Sequence, residues 1–206
     1  GYHFDSGLEL DGSLLQSLAH NDFDSVSSKR TSGFAANADS EQKVVGGRAR
    51  FSPLQPWRVT LQAGRSEDKS DNFQDQAFYS RFDSRRDSLT WQNDLILADG
   101  HNLTLGADWQ RDEVNGSTAY ALDSRDNQGL FIQYLAQLGR HDLQLSLRSD
   151  DDEQFGEHST GSLGWGYVLT DTLRLTASYG TAYKAPTFNQ LYYPGFGNPD
   201  LQPEES

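Results

Sequence analysis

Leu130-Phe-Ile-Gln-Tyr-Leu-Ala-Gln-Leu-Gly-Arg-His-Asp-Leu-Gln-Leu-Ser-Leu147 contains two runs of alternating side chains joined by one tight turn. Leu130, Ile132, Tyr134, Ala136 and Leu138 share one parity, with polar Gln133 among their neighbours on the other. After a turn at Gly139 to Asp142 the alternation resumes with Leu143, Leu145 and Leu147 around Gln144. A period of two belongs to a strand, whose successive side chains point to opposite faces. The stretch therefore predicts an antiparallel hairpin with one apolar and one polar face.

The same pattern recurs in both directions from this hairpin. Upstream lie Leu8, Leu10, Gly12 and Leu14; then Val45 to Phe51; then Val59, Leu61 and Ala63; then Leu89 to Leu97; and then Leu103 to Trp109. Downstream are Leu163 to Leu169 and Leu173 to Tyr179, which makes nine strands in all. Connections alternate between tight ones (Ser52 to Pro56, Ala98 to His101, Gly139 to Asp142, Thr170 to Thr172) and long ones (about 23–41, 66–76, 112–125, 149–158 and from 184 onward). Short turns on one rim and long loops on the other are the organisation of an outer-membrane barrel, with the short rim periplasmic. Phe51 and Trp57 beside a tight turn, and Trp109 and Tyr179 near the long loops, are candidates for the two aromatic girdles. Single-chain bacterial barrels have an even strand number, so nine strands read as part of a wall.

Composition agrees with a wall between water and lipid. Only 35% of the 206 residues are apolar, yet 12% are aromatic, and the net charge is -13. Such a chain is too polar for an ordinary soluble core, while its regular alternation argues against disorder. No apolar run approaches the roughly 20 residues of a membrane helix, but a barrel strand needs only about 9 to 11. The chain has no Cys and no Met and begins at Gly1, so it reads as an interior piece of a longer protein. A strongly negative charge without a basic stripe argues against nucleic acid as a partner.

The last segment adds a sequence of motifs. Lys184-Ala185-Pro186, a Leu191-Tyr pair, and Gly197-Asn198-Pro199-Asp-Leu201-Gln-Pro203-Glu204 follow one another, breaking a strand at Pro186 and turning through Gly195 to Pro199. This phrase resembles the barrel segment of TonB-dependent outer-membrane receptors. Arg148 to His158, Gly164-Trp-Gly and Ala177 to Pro186 are similar to the cobalamin (vitamin B12) receptor branch. The resemblance is strong over 148–206 and weaker but colinear back to about Gly1. It implies an all-β, antiparallel transmembrane β-barrel segment, about nine strands of a 22-stranded barrel. The plug domain with its TonB box is expected outside this chain. It further implies a receptor in the outer-membrane lipid that binds cobalamin at extracellular loops, orders those loops with calcium, and draws energy from TonB. Asp24 after Phe23, and Asp39 later in the same loop, match the branch's calcium-binding positions, with Asp22 beside them.

Read from the residues alone, the acidic loops admit two interpretations. Asp22-Phe-Asp24, Asp39, Glu41, Glu67-Asp68, Asp71, Asp75 and Asp150 to Glu153 are hard oxygen donors of the kind Ca²⁺ takes, or simply solvated surface carboxylates. The Asp150 run fails the EF-hand pattern, because Phe155 stands where Gly is required. Catalytic signals are thin. His158 and Ser159 are adjacent and so point to opposite faces, His101 and His141 sit in turns as solvated residues, and five His without Cys form no zinc pattern. The expectation is a transport receptor and not an enzyme. The alternatives are a siderophore or other nutrient receptor, an outer-membrane hydrolase, and a soluble calcium-dependent adhesion sandwich.

Overall fold

The computed structural model describes residues 1–25, 34–193, 195 and 197–206, without the side chains of Asp24, Ser25 and Phe34. One ten-stranded sheet runs in strict chain order. Its strands are β1 (Tyr2–His3), β2 (Glu9–Ser25), β3 (Phe34–Leu54), β4 (Trp57–Gln74), β5 (Ala77–Ala98), β6 (His101–Gly116), β7 (Ser124–Leu138), β8 (His141–Asp152), β9 (Gly156–Thr170) and β10 (Leu173–Gly180). β2 to β10 are the nine strands that the alternation predicts. A smaller pair, β11 (Tyr183–Lys184) with β12 (Glu204–Glu205), and one short helix, α1 (Phe188–Tyr192), follow. Among the described residues the other sheet is this two-stranded pair, too small to be the facing layer of a sandwich, which removes that alternative.

Antiparallel register sorts the side chains into rows that cross the whole sheet. Leu10, Ala49, Leu61, Trp91, Ala107 and Leu130 stand opposite one another in turn and form one apolar row. One residue along each strand, Asp11, Arg48, Gln62, Thr90, Asp108, Gly129, Asp150 and His158 form a polar row on the other face. Among the described residues nothing covers the apolar face. Leu130 is 65% exposed and Leu147 66%, and the total surface is 14229 Å², against about 9,600 Å² for a soluble monomer of this mass. The expected girdle residues Phe51, Trp57, Trp109 and Tyr179 share the apolar parity.

The long rim differs from a set of open loops. β2 and β3 stay paired as far as Ser25 and Phe34, and β4 and β5 as far as Gln74 and Ala77. The latter pair closes through Asp75 and Gln76, both at positive φ (47° and 65°), the twist that a two-residue hairpin turn requires. Opposite charges facing each other across strands explain the extension. Arg65 meets Asp87 at 2.5 Å, Arg81 meets Asp71 at 2.6 Å, Arg86 meets Asp112 at 2.6 Å and Arg111 meets Asp126 at 2.7 Å. Each such pair contributes about 0.2–1 kcal/mol, enough in series to hold strands together where no apolar face helps.

Glycines on the polar face make room for side chains from the next strand. Arg148 on β8 crosses β7 at Gly129 to grip Asp108 on β6, at 2.7 and 2.9 Å. Arg174 on β10 crosses β9 at Gly166 to reach Asp142 on β8. Phe131 lies over Gly106, where a Cβ would come within 2.4 Å of the Trp91 carbonyl oxygen and 2.6 Å of the ring. An added methyl at Gly129 would meet the movable end of Arg148, whereas one at Gly106 would meet backbone. In the full-length protein Gly106→Ala should therefore destabilise by about 1–3 kcal/mol and Gly129→Ala by less. Unfolding midpoints measured on both variants check this ranking, and equal losses would contradict it.

Candidate functional site

At the long rim the chain after β10 folds back over the polar face, and here the sheet acquires its best-buried cluster. Thr187 caps α1 through a reciprocal box: its hydroxyl accepts from the Gln190 amide at 3.3 Å, and the Gln190 side chain accepts from the Thr187 amide at 2.8 Å. The Thr187-x-x-Gln190 spacing was a legible helix signal. The sequence reading treats this span as turns and overlooks it. Phe188 and Leu191, 7% and 1% exposed, face inward from α1.

Arg125 on β7 holds this helix. Its guanidinium lies 5.2 Å from the Phe188 ring centre and 5.6 Å from that of Phe155. It also donates to the buried Pro186 carbonyl at 3.1 Å and faces Asp152 at 3.5 Å. Asp152 is 5% exposed, and its other oxygen accepts from the amides of Gln154 and Phe155, which shapes the β8–β9 turn. Two further ties close the strap. Tyr120 donates to Asn189 at 2.6 Å, and Gln154 donates to the Tyr192 hydroxyl at 2.6 Å.

The family-like motif residues divide between these contacts. Lys184 pairs with Glu204 across β11 and β12, while Ala185 and Pro186 lead into the helix cap. The Gly197 amide bonds the Tyr193 carbonyl at 2.7 Å and the Asn198 amide bonds Gln190 at 2.8 Å, wrapping the chain around the end of α1. A Cβ at Gly197 would come within 2.6 Å of the Tyr193 nitrogen, so no larger residue fits. Asn198 also accepts from the Asp200 amide and, through its carbonyl, from that of Leu201, turning the chain through Pro199 toward Pro203. Pro194 and Phe196 lie outside the described residues. Arg125, the hub of the strap, is not among the residues singled out from sequence, and Asp152 and Phe155 enter there only as part of an acidic run and a failed EF-hand pattern, because their roles depend on contacts between distant segments.

The proposed calcium ligands occupy another part of the rim. Asp39 stands opposite His20 and meets its Nδ1 at 2.5 Å, while Asp22 meets Nε2 at 3.2 Å. The Asp24 backbone pairs with Ala35, and its side chain lies outside the described residues. Two carboxylates on one imidazole fall short of the six to eight oxygens that Ca²⁺ takes, and among the described residues no set of three His, Asp or Glu is suited to a metal ion. Asp22 and Asp39 by themselves do not make a calcium shell as arranged. The Asp150 run is likewise committed: Asp150 bonds Arg148 and Asn127, and Glu153 accepts from the Asp126 amide.

The histidines also depart from expectation. His101 Nδ1 lies 2.6 Å from the Tyr134 hydroxyl, and His141 accepts from the Trp165 indole at 3.1 Å, so both belong to the short-rim aromatic girdle and are not merely solvated. His158 stacks on Tyr183 at 3.9 Å and faces Glu205 and the Phe155 carbonyl, while Ser159 sits on the opposite face, as its adjacency requires.

A family model described as the β-barrel of TonB-dependent receptor-like proteins matches residues 2–206. A vitamin B12 transporter BtuB of Photobacterium profundum is 39% identical over 143 residues, 69% of this chain and 24% of that protein. Its counterpart in Vibrio vulnificus is 36% identical over 127 residues, 60% of this chain and 21% of that protein. The chain thus spans about a quarter of the length of these curated relatives. Among solved structures, the FrpB iron transporter of Neisseria meningitidis superposes with a TM-score of 0.71 at 13% identity, covering 87% of this chain and 34% of that one. The ferric enterobactin receptor PfeA of Pseudomonas aeruginosa superposes at 0.66 with 14% identity, covering 90% and 35%. At these identities the structures establish the fold.

Two outcomes are expected. Hydrogen bonding to Asp39 raises the His20 pKa above its ordinary 6.5, with Asp22 adding to the shift. The His20 contacts are therefore fully formed below that value and weaken as pH rises through the raised one. A pH titration of the His20 ring by NMR should show the raised value fall back in Asp39→Asn. Arg125→Met leaves Asp152 buried without its cation and should loosen residues 183–192 by about 2 kcal/mol. Hydrogen exchange should then quicken there and stay unchanged in β4 to β6.

Proposed function

Because the chain belongs to the family of TonB-dependent receptor β-barrels and forms part of an outer-membrane barrel wall, we propose that it serves a receptor that binds cobalamin at the long rim and imports it with energy delivered by TonB. The sequence identity with two vitamin B12 transporters carries this reading. In it, the uncovered apolar face meets lipid and the polar face lines the lumen. The plug, with the segment that engages TonB, would come from the parent protein outside this stretch.

The chain's own contribution is binding, not bond chemistry. The strap anchored by Arg125 holds α1 and its aromatic neighbours against the rim before any cargo arrives. Fixing those segments in advance lowers the ordering cost of association. His158 stacks on Tyr183 and faces the Phe155 carbonyl, and Ser159 lies on the opposite face, which speaks against a His158–Ser159 pair of the kind the hydrolase alternative needs. A calcium role for Asp22, Asp24 and Asp39 rests on the family resemblance alone, and no step here passes through the ion.

Cyanocobalamin binding to the full-length receptor in detergent tests the cargo, first with Ca²⁺ and then with excess chelator. Binding is expected in the presence of Ca²⁺. If chelation weakens it, and Asp24→Ala with Asp39→Ala abolishes that sensitivity, the calcium role stands as well. Binding indifferent to chelation would keep the cargo and remove calcium. A receptor that binds a ferric siderophore and ignores cyanocobalamin would overturn the cargo assignment.

A further inference from the structure

We propose that Asn115–Gly116, at the long-rim end of β6, is a site of spontaneous deamidation, where the backbone converts to isoaspartate and the rim loosens with age. The inference is independent of the cargo. Of the asparagines in the chain, Asn115 alone is followed by glycine. In the reaction the Gly116 amide nitrogen gives its proton to hydroxide and attacks the side-chain carbonyl carbon of Asn115. An N–C bond forms, the C–NH2 bond breaks, and ammonia leaves with a proton returned by water. A second water then opens the cyclic imide at either carbonyl, giving aspartate or, with the main chain rerouted through the side-chain carbon, isoaspartate.

The fold opens this route by leaving the attacking nitrogen out of the sheet. Ser117 donates to the Arg81 carbonyl at 3.0 Å, so the amide one residue earlier points away from β5. On its other side β7 has already ended: the pairing with β6 stops at Glu113 and Ser124, and the last cross-link runs from the Val114 amide to the Asp123 carbonyl. The Gly116 amide is left with its own predecessor, donating to Asn115 Oδ1 at 2.7 Å. Its nitrogen therefore lies beside the carbonyl it attacks, and no ladder bond has to break first. Asn115 is exposed, so water and hydroxide reach it. The labile pair is also held in place by packing. A Cβ at residue 116 would overlap the Arg81 carbonyl oxygen, so the position demands glycine, and glycine offers nothing to block ring closure.

The product disturbs its surroundings in charge and in length. Either acid places a carboxylate directly opposite Asp83, in a cleft lined also by Glu67, Glu113 and Asp123 against Lys69 and Arg85. Like charges directly opposite one another destabilise a ladder. Isoaspartate adds a backbone carbon as well, which shifts Gly116 from Phe82 and Ser117 from Arg81. The segment that follows carries Tyr120, whose ring meets Phe82 and Tyr193 and whose hydroxyl holds Asn189 on α1. Conversion of Asn115 thus releases one tie of the strap.

The test ages the full-length receptor in detergent at mildly alkaline pH and follows its proteolytic peptides by mass spectrometry, with enzymatic methylation to detect isoaspartate. The peptide holding Asn115 should exchange NH2 for OH about tenfold faster than any other asparagine peptide, with isoaspartate among the products. Asn93, 3% exposed and paired on both sides, should stay intact. Hydrogen exchange over 117–123 and in α1 should quicken with age in wild type. It should stay constant in Asn115→Gln, which cyclises far more slowly, and in Asn115→Ser, which cannot cyclise. Conversion at Asn115 no faster than at Asn93 would overturn the proposal. So would conversion to aspartate without isoaspartate, since no cyclic imide would then have formed, and so would equal loosening of the rim in wild type and both variants.

Discussion

Unbroken antiparallel pairing from β2 to β10 is the constraint on which the rest of the molecule depends. Among the described residues the wall is a single layer except where α1 and β11–β12 return over the rim, so most of its strands have no core above or below them. Backbone hydrogen bonds between neighbours must therefore fix position, and register must fix which face each side chain occupies. A slip of one residue would turn Leu130, Ile132 and Tyr134 to the polar side and Gln133 to the apolar side. Leu135 apart, the shared parity of Leu, Trp and Tyr along β5 to β10 specifies the register so tightly that the sheet needs no second layer to find it.

The polar face solves a different problem with glycine. Residues directly opposite one another on neighbouring strands are the usual contacts of a sheet, but Gly129 and Gly166 let an arginine pass over a whole strand. Arg148 thereby binds β6 to β8, and Arg174 binds β8 to β10. These two crossings have the same construction: a carboxylate opposite a glycine, and an arginine two positions from the glycine's partner on the next strand. They stiffen the wall diagonally, where ladder hydrogen bonds act only between neighbours.

Above the apolar band the alternation of polarity gives way to an alternation of charge. The strands continue because an arginine or lysine on one meets a carboxylate on the next, and because such rows are comfortable in water. At the far end of the polar face, buried area reappears around Arg125. A planar cation between two aromatic rings, with a buried carboxylate and a carbonyl to satisfy its donors, anchors the returning chain. The rim is thus preorganised by one residue whose neighbours come from the β8–β9 turn and from α1.

Parity, turn spacing and composition determined the strand count, the two faces and the orientation of the rims, since a period of two is a local property that register then propagates. The phrase from Lys184 to Glu204 marked the family for the same reason: short motifs keep their order in the chain. Other features were decided only by tertiary structure. The long excursions are mostly paired strand, because cross-strand charges lie far apart in sequence and become partners only once register is set. Asp39 reaches His20 from the neighbouring strand, beside Asp22 on the strand of His20 itself, a contact that the spacing of acids along the chain does not show. Arg125 becomes the hub of the rim because Phe155, Asp152, Pro186 and Phe188 converge on it from distant segments, and no local pattern encodes a meeting of residues so far apart in the chain.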